Sequence, residues 1–342
     1  MYEGKWEKRW HPLRGEWVVY AAHRNQRPWT TASQTQTALV PVSYDPGCYL
    51  CPGNSRIHGL VNPNYAGVYV FDNDHPVVSL HAPELAPAEL ATGSSLYRRE
   101  RALGLARVLC YDPRHDLTLA ELSVAGICQV FYEFRSQVQA LAALPMIKSV
   151  LIFENKGELC GVSNPHPHCQ IYATDFDFAL INKQVELAAN YREQTGDNIF
   201  ATILANELAD GRRIVAENAG AVAFVPFFAR YAYEVMIFPK KRHATFSSLT
   251  DWELEQLAEV YREVTARFDG LFGIKFPYVM TVQQAPVKGE PTEFHLYVHF
   301  QPPLRQPGLI KFLAGPEIGA GNFMADTMPE DTAADLRRVC IG

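Results

Sequence analysis

The chain has no apolar run approaching the roughly 18 to 20 residues that cross a bilayer, and its opening, MYEGKWEKRW, places charges where an export signal needs an apolar stretch. A cytoplasmic protein without a membrane partner is the expectation. There is no excess of positive charge: 31 Lys and Arg stand against 37 Asp and Glu, a net charge of -6, so no global field draws the protein to nucleic acid. Nucleic acid is not an expected partner. Cysteine is sparse and odd in number, seven in all at positions 48, 51, 110, 128, 160, 169 and 340, which argues for reduced thiols or metal ligands rather than a disulfide framework. The chain also lacks a Walker lysine loop, a GxGxxG after a strand, a GxSxG elbow and an HExxH pair, which removes the usual NTPase, dehydrogenase and serine-hydrolase readings.

What is present is an ordinary globular composition. Of the 342 residues 48% are hydrophobic and 20% charged, with 22 Gly and 23 Pro scattered throughout, enough chain for two domains or two fused halves. Runs rich in Val, Ile, Phe and Tyr predict strands at 17–21, 68–71, 149–153, 170–173, 221–227, 233–238 and 294–300. The spacing of Leu254, Leu257, Tyr261, Val264 and Phe268 predicts a helix over 251–268, with Thr250 and Glu253 as its capping box and Gly270 and Gly273 as its stop. A second helix is expected from near Leu122 through 131–144, helical pattern fills 177–206, and a short helix begins at Glu330 after a Gly-rich stretch over 311–321. Clustered strands with turn-rich links favour an α+β fold with mixed or antiparallel pairing over a doubly wound parallel sheet. Segments 164–173 and 293–300 are both His-bearing strands, each closing its own strand-rich region, which suggests a duplication.

The densest chemistry lies in FENKGELCGVSNPHPHCQIYA, 153–173. On an extended chain His166, His168 and Gln170 project from one face, and the approach loop with Asn155, Gly157, Gly161, Ser163 and Asn164 offers short side chains and backbone N–H groups that suit a phosphate. In CYLCPGN, 48–54, two sulfurs flank a tight turn and can bind one metal; buried reduced thiols or a redox pair are the alternatives. His115 and one of His166 and His168 are candidates to complete such a site. Arg24 and Arg27 in HRNQRPW can fork onto phosphates, though solvated surface charge is the plainer meaning. In GVYVFDND, 67–74, Phe71 could pack on a base while Asn73 and Asp74 bond a ribose. Lys311, Phe312 and Glu317 sit in IKFLAGPEIGAG, which reads as a loop.

With Cys-x-x-Cys, ENKG, SNPHPH plus Gln170, and the RPW element in this order, the chain resembles the galactose-1-phosphate uridylyltransferase family, a branch of the histidine triad superfamily. The resemblance spans nearly the whole length. It implies two histidine-triad-like halves, 1–176 and 184–342, in a homodimer whose sites borrow residues across the interface, moving UMP from UDP-glucose to galactose 1-phosphate by a ping-pong route. It makes His168 the nucleophile, with Gln170 beside it, and puts a structural zinc on Cys48, Cys51, His115 and His166. Gln170 stands where hydrolases of the superfamily have a third histidine, and an amide cannot serve as an acid for a poor leaving group, so transfer is favoured over hydrolysis. Arg24 and Arg27 would bind phosphates; Tyr49, Ile57, Phe71, Asn73 and Asp74 the uridine; Asn155 and Ser163 the phosphate path; and Lys311, Phe312 and Glu317 the sugar phosphate.

Several positions depart from the family pattern. Cys169 replaces a glycine and reads as packing. The second metal site of some relatives falls on Gln184, Gln283, Tyr297 and His299, of which only His299 is a retained ligand, so that site is expected to be empty. Pro316 and the GAGNF stretch differ in the sugar-facing tail. Adenylyl transfer to a different sugar 1-phosphate, or nucleotide binding without turnover, are the alternatives.

Overall fold

The computed structural model of the chain describes residues 6–21, 42–86, 96–162, 164–289 and 293–341. In chain order it runs β1 (Trp6–His11), β2 (Glu16–Ala21), β3 (Tyr69–Asp72), β4 (Gly104–Cys110), α1 (Val124–Ala142), β5 (Ser149–Lys156), β6 (His168–Thr174), α2 (Ala179–Thr195), α3 (Ile199–Asp210), β7 (Ile214–Glu217), β8 (Ala221–Phe224), β9 (Val235–Pro239), α4 (Asp251–Phe272), β10 (Tyr278–Gln283), β11 (Tyr297–Gln301), β12 (Leu304–Gln306), β13 (Leu309–Ile310), β14 (Met324–Ala325) and α5 (Pro329–Arg338). None of the described helices is long and apolar enough to cross a membrane.

Among the described residues nine strands form one antiparallel sheet in the order β3-β4-β6-β5-β10-β11-β9-β8-β7. Its first four strands follow the same order as β8-β9-β11-β10, and each set carries its long helix between the corresponding strands, α1 between β4 and β5 and α4 between β9 and β10. The fold is therefore α+β, built from two sets of strands in the same order joined edge to edge through β5 and β10. The register makes the relation local: Gln170 stands opposite Phe153, His299 stands opposite Thr281, and Phe153 and Thr281 are themselves partners across the junction. Residue by residue this sets His166 against His295, His168 against Tyr297 and Gln170 against His299. Arg114-His115 after β4 likewise mirrors Arg242-His243 after β9.

Alternation along the strands sends the two faces of the sheet to different environments. Val150, Ile152, Cys169, Ile171, Met280, Val298 and Phe300 point into the main core beneath α1 and α4, where Phe131, Phe134, Phe246 and Tyr261 pack edge to face. On the opposite face of the second half, α2 and α3 lay Ile181, Phe200 and Ile203 over Phe224, Phe238 and Tyr297. On the first half that same face carries Phe153, Asn155, His168 and Gln170, which line a pocket.

The capping box of α4 forms as its sequence requires: the Thr250 hydroxyl accepts from the Glu253 N–H at 3.3 Å and the Glu253 carboxylate accepts from the Thr250 N–H at 2.8 Å. Gly273, with φ +64°, ends the helix, its N–H bonded to the Asp269 carbonyl. Gly270 does not stop it. The helix passes straight through, and the glycine is there because a Cβ would lie 2.5 Å from a methyl of Val339, which follows α5. The expected loop at 311–321 contains one π-type turn, Gly315–Gly319, pinned by Glu317.

Candidate functional site

The His-Pro-His segment does not present all three polar tips to one face. Strand pairing begins only at His168, and His166, just before it, is fully buried and turned toward the cysteine loop. There Cys48, Cys51, His115 and His166 bring their ligand atoms within 4.8 Å of one another, and among the described residues no other group of three or more metal-capable side chains converges in this way. The Cys51 sulfur lies 3.6 Å from His115 Nδ1 and 3.5 Å from His166 Nδ1. A tetrahedron with bonds of about 2.0 to 2.3 Å has edges of roughly 3.3 to 3.8 Å, so the spacing fits a metal held by two sulfurs and two nitrogens, and zinc is compatible.

The surroundings prepare both donor types. His166 Nε2 sits 3.1 Å from the Asp112 carbonyl, which takes its N–H and leaves Nδ1 as the lone-pair nitrogen facing the sulfurs. Burial lowers the His166 pKa to about 4, so the ring is the neutral ligand form. Asn164 binds the assembly from both sides, accepting from the His166 N–H at 2.9 Å and contacting the Cys48 sulfur at 3.4 Å. Asn62 donates to the carbonyls of Tyr49 and Cys51 and fixes the Cys-x-x-Cys turn.

His168 opens β6 at the rim of the pocket. Its Nδ1 donates to the His166 carbonyl at 2.8 Å, which leaves the Nε2 lone pair unprotonated, and burial lowers its pKa. The ring is thus tied by a backbone bond to a residue of the Cys/His cluster. Gln170, two residues on, receives the Tyr172 hydroxyl at 3.1 Å and the Asn73 amide at 3.4 Å on its oxygen, so its NH2 group is the part able to donate. Phe153 and Asn155 from β5 and Gly161 and Val162 from the preceding loop complete the wall. Gly161 closes a single 3-10 turn, Glu158–Cys160, in the left-handed region at φ +76°, which favours glycine. Cys169 points the other way into the core, and burial pushes its thiol up.

Of the remaining expected binding residues, Arg24, Arg27 and Ser163 lie outside the described residues. Tyr49 and Ile57 are exposed on the cysteine loop. Asn73 reaches Gln170, but Asp74 and Phe71 are already engaged: Arg56 forms two contacts with the Asp74 carboxylate, at 2.7 and 3.0 Å, and its guanidinium lies 3.9 Å over the Phe71 ring. The face of Phe71 under Arg56 is therefore not free to stack on a base. Lys311 and Glu317 form an ion pair at 2.5 Å, Phe312 is exposed, and none of the three lines this pocket in the same chain. Sequence reading had no signal for Arg56, whose partner lies 18 residues away, or for Tyr65, whose hydroxyl is 3.4 Å from His166 Nε2.

At the corresponding place in the second half the polar groups satisfy one another. The Tyr297 hydroxyl donates to Gln184 Oε1, the Gln184 amide to Gln283 Oε1 and the Gln283 amide to Thr281, while His299 Nε2 lies 2.9 Å from Glu234. His243, the counterpart of His115, is held by Ser248 and Glu253.

Residues 3–177 match the family model described as galactose-1-phosphate uridyl transferase, N-terminal domain, and residues 184–340 match the corresponding C-terminal domain. A galactose-1-phosphate uridylyltransferase of Hypocrea jecorina is 35% identical over 360 residues, covering 96% of this chain and 94% of the relative. That of Haemophilus influenzae is 35% identical over 332 residues, covering 96% and 93%. A solved uridylyltransferase structure superposes with a TM-score of 0.78 at 28% identity over 97% of this chain and 98% of its own. An ADP-glucose phosphorylase of Arabidopsis thaliana, solved with bound ADP-glucose, has a TM-score of 0.77 at 22% identity over 99% and 100%, a likeness of fold.

Proposed function

The chain belongs to the galactose-1-phosphate uridylyltransferase family, and from that membership we propose that it carries UMP from UDP-glucose to galactose 1-phosphate in two half-reactions through a uridylyl group on His168. The observation that carries this reading is the 2.8 Å bond from His168 Nδ1 to the His166 carbonyl. It fixes the tautomer, so that Nε2 offers its lone pair to a phosphorus in the pocket. In the first step the Nε2–P bond forms and the bond from the α-phosphorus to the bridging oxygen breaks, with its electron pair leaving on glucose 1-phosphate. The ring now carries positive charge, which the His166 carbonyl stabilises through Nδ1–H. In the second step a phosphate oxygen of galactose 1-phosphate attacks the phosphorus, the P–N bond breaks, and UDP-galactose departs.

Gln170 and Asn155 border the phosphoryl position and can donate amide hydrogens to its oxygens, stabilising charge without supplying an acid. Sugar phosphates need none, since they leave as anions. Cys48, Cys51, His115 and His166 would hold one zinc ion, which when bound anchors the loop that carries His168. Gln184, Gln283, Tyr297 and His299 would hold no second metal, because their polar atoms are directed to one another and to Glu234. The halves are taken as 1–176 and 184–342, in a cytoplasmic homodimer. Arg24 and Arg27 would meet phosphates, Ser163 would line the phosphate path beside Asn155, Tyr49, Ile57, Phe71, Asn73 and Asp74 would surround the uridine, and the partner subunit's Lys311, Phe312 and Glu317 would face the sugar phosphate.

Initial-rate kinetics test the reading. Varying UDP-glucose at several fixed galactose 1-phosphate concentrations should give parallel double-reciprocal lines, with ADP-glucose inactive as donor. Intersecting lines would exclude the two-step route, and faster turnover of ADP-glucose would reassign the base.

A further inference from the structure

Arg56 is the least expected residue near the donor side of the pocket. It leaves the loop just after the Cys-x-x-Cys turn and crosses to the end of β3, where its fork meets both oxygens of Asp74 at 2.7 and 3.0 Å. Both side chains are largely buried, 9% and 13% exposed. The plane of the guanidinium covers Phe71, which stacks on Tyr69 at 5.4 Å, which stacks on Tyr65 at 4.8 Å. The Tyr65 hydroxyl then donates to the Leu50 carbonyl at 2.6 Å, inside the Cys-x-x-Cys turn, and stands 3.4 Å from His166. The contacts close a ring: from the cysteine loop through Arg56, Phe71, Tyr69 and Tyr65 back to the cysteine loop. Asn73, beside Asp74, reaches Gln170 from this ring.

We propose that Arg56 is a positioning residue for the nucleoside part of the donor, holding Asp74 and Phe71 in fixed places and cancelling the Asp74 charge. The inference rests on the uridylyl-transfer reading above. The physical case has two parts. A bare carboxylate beside a site for a nucleoside diphosphate would repel it, whereas an arginine fork takes one lone pair from each oxygen and leaves the others to accept hydroxyl hydrogens. A lysine would keep the charge, but as a point donor it has neither the fork nor the plate that lies on Phe71. An ordinary exposed ion pair would need none of this geometry.

The test compares UDP binding by calorimetry, steady-state kinetics, melting temperature and zinc content for the zinc-loaded wild type, Arg56→Lys, Arg56→Met and the double variant Arg56→Met/Asp74→Asn. Arg56→Lys should weaken UDP binding and raise the KM for UDP-glucose at least tenfold, with kcat changed less than threefold. Arg56→Met should be worse, and the double variant should recover part of the loss because the unpaired carboxylate is gone. Variants that bind UDP like the wild type, or that lose kcat and zinc together at unchanged KM, would reduce Arg56 to a structural strut and overturn the proposal. A wild type that binds no UDP would overturn the functional reading as well, so the two failures are distinguishable.

Discussion

An imidazole attacks phosphorus only if its lone pair faces the substrate and stays unprotonated, and a backbone acceptor at Nδ1, rather than a carboxylate, leaves Nε2 of His168 as the unprotonated nitrogen. A carbonyl fixes the tautomer without adding a negative charge that would repel a diphosphate. Gln170 acts at the same scale. Gln170→Ala should lower kcat by about 100-fold, the usual cost of losing a donor to a developing oxyanion, while the donor KM changes little. A drop in kcat of less than threefold in the same assay would remove Gln170 from the chemistry. His166 links His168 to the cysteine loop: its carbonyl holds His168 and its Nδ1 faces Cys51. Cys51→Ser should release the metal, read by elemental analysis, and lower the rate with it; a metal-free variant of full activity would show that the tether is not needed.

At the scale of elements, two features make quantitative claims. Thr250→Ala removes one arm of the capping box of α4 and should cost about 1 kcal/mol in urea unfolding. An unchanged midpoint would mean that packing alone holds the helix end. On β5, burial pushes the Glu154 carboxyl up from 4.5 to about 7, with the Tyr278 hydroxyl donating to it at 3.2 Å. The folded state therefore binds this proton more tightly than the unfolded chain, so the contribution of Glu154 to stability is greatest below 4.5, declines as pH rises toward 7 and levels off above it. Glu154→Gln cannot ionise. Its melting temperature minus that of the wild type should be more positive at pH 8 than at pH 5, and a pH-independent difference would contradict the assignment.

These elements also show what a sequence can reveal. The α4 helix was legible because its apolar spacing and cap are local, and the strand after His168 because alternation and proline mark it. β1 was not, since the residues it buries are Arg9 and His11, which leave no apolar run. Gly270 was misread because a glycine that admits a neighbouring side chain looks the same in sequence as one that ends a helix.

For the whole molecule, the nine-stranded sheet gives two sets of strands in the same order whose corresponding faces meet different surroundings. The corresponding faces carry His168 and Gln170 in one half, and Tyr297 and His299 in the other, where α2 and α3 cover Tyr297 and Glu234 holds His299. The His-bearing strands suggested this duplication in the sequence, but the self-satisfied cluster around Gln184 depends on contacts some hundred residues apart and had no local trace. Lys311, Phe312 and Glu317 do not line their own chain's pocket, and the proposed homodimer would bring them to the site from a second copy. If so, mixing His168→Ala with Lys311→Ala, each inactive, and letting subunits exchange should restore about one quarter of wild-type activity, because half the dimers are mixed and each has one intact site. No recovery after verified exchange would place the sugar phosphate site within a single chain.

The covalent intermediate gives the most direct test. UDP-glucose labelled in the uracil ring, added without acceptor, should leave acid-labile label on His168 at close to one group per subunit, discharged as UDP-galactose when galactose 1-phosphate is added. Label that persists in His168→Ala, or a wild type that turns over without ever carrying label, would contradict the account.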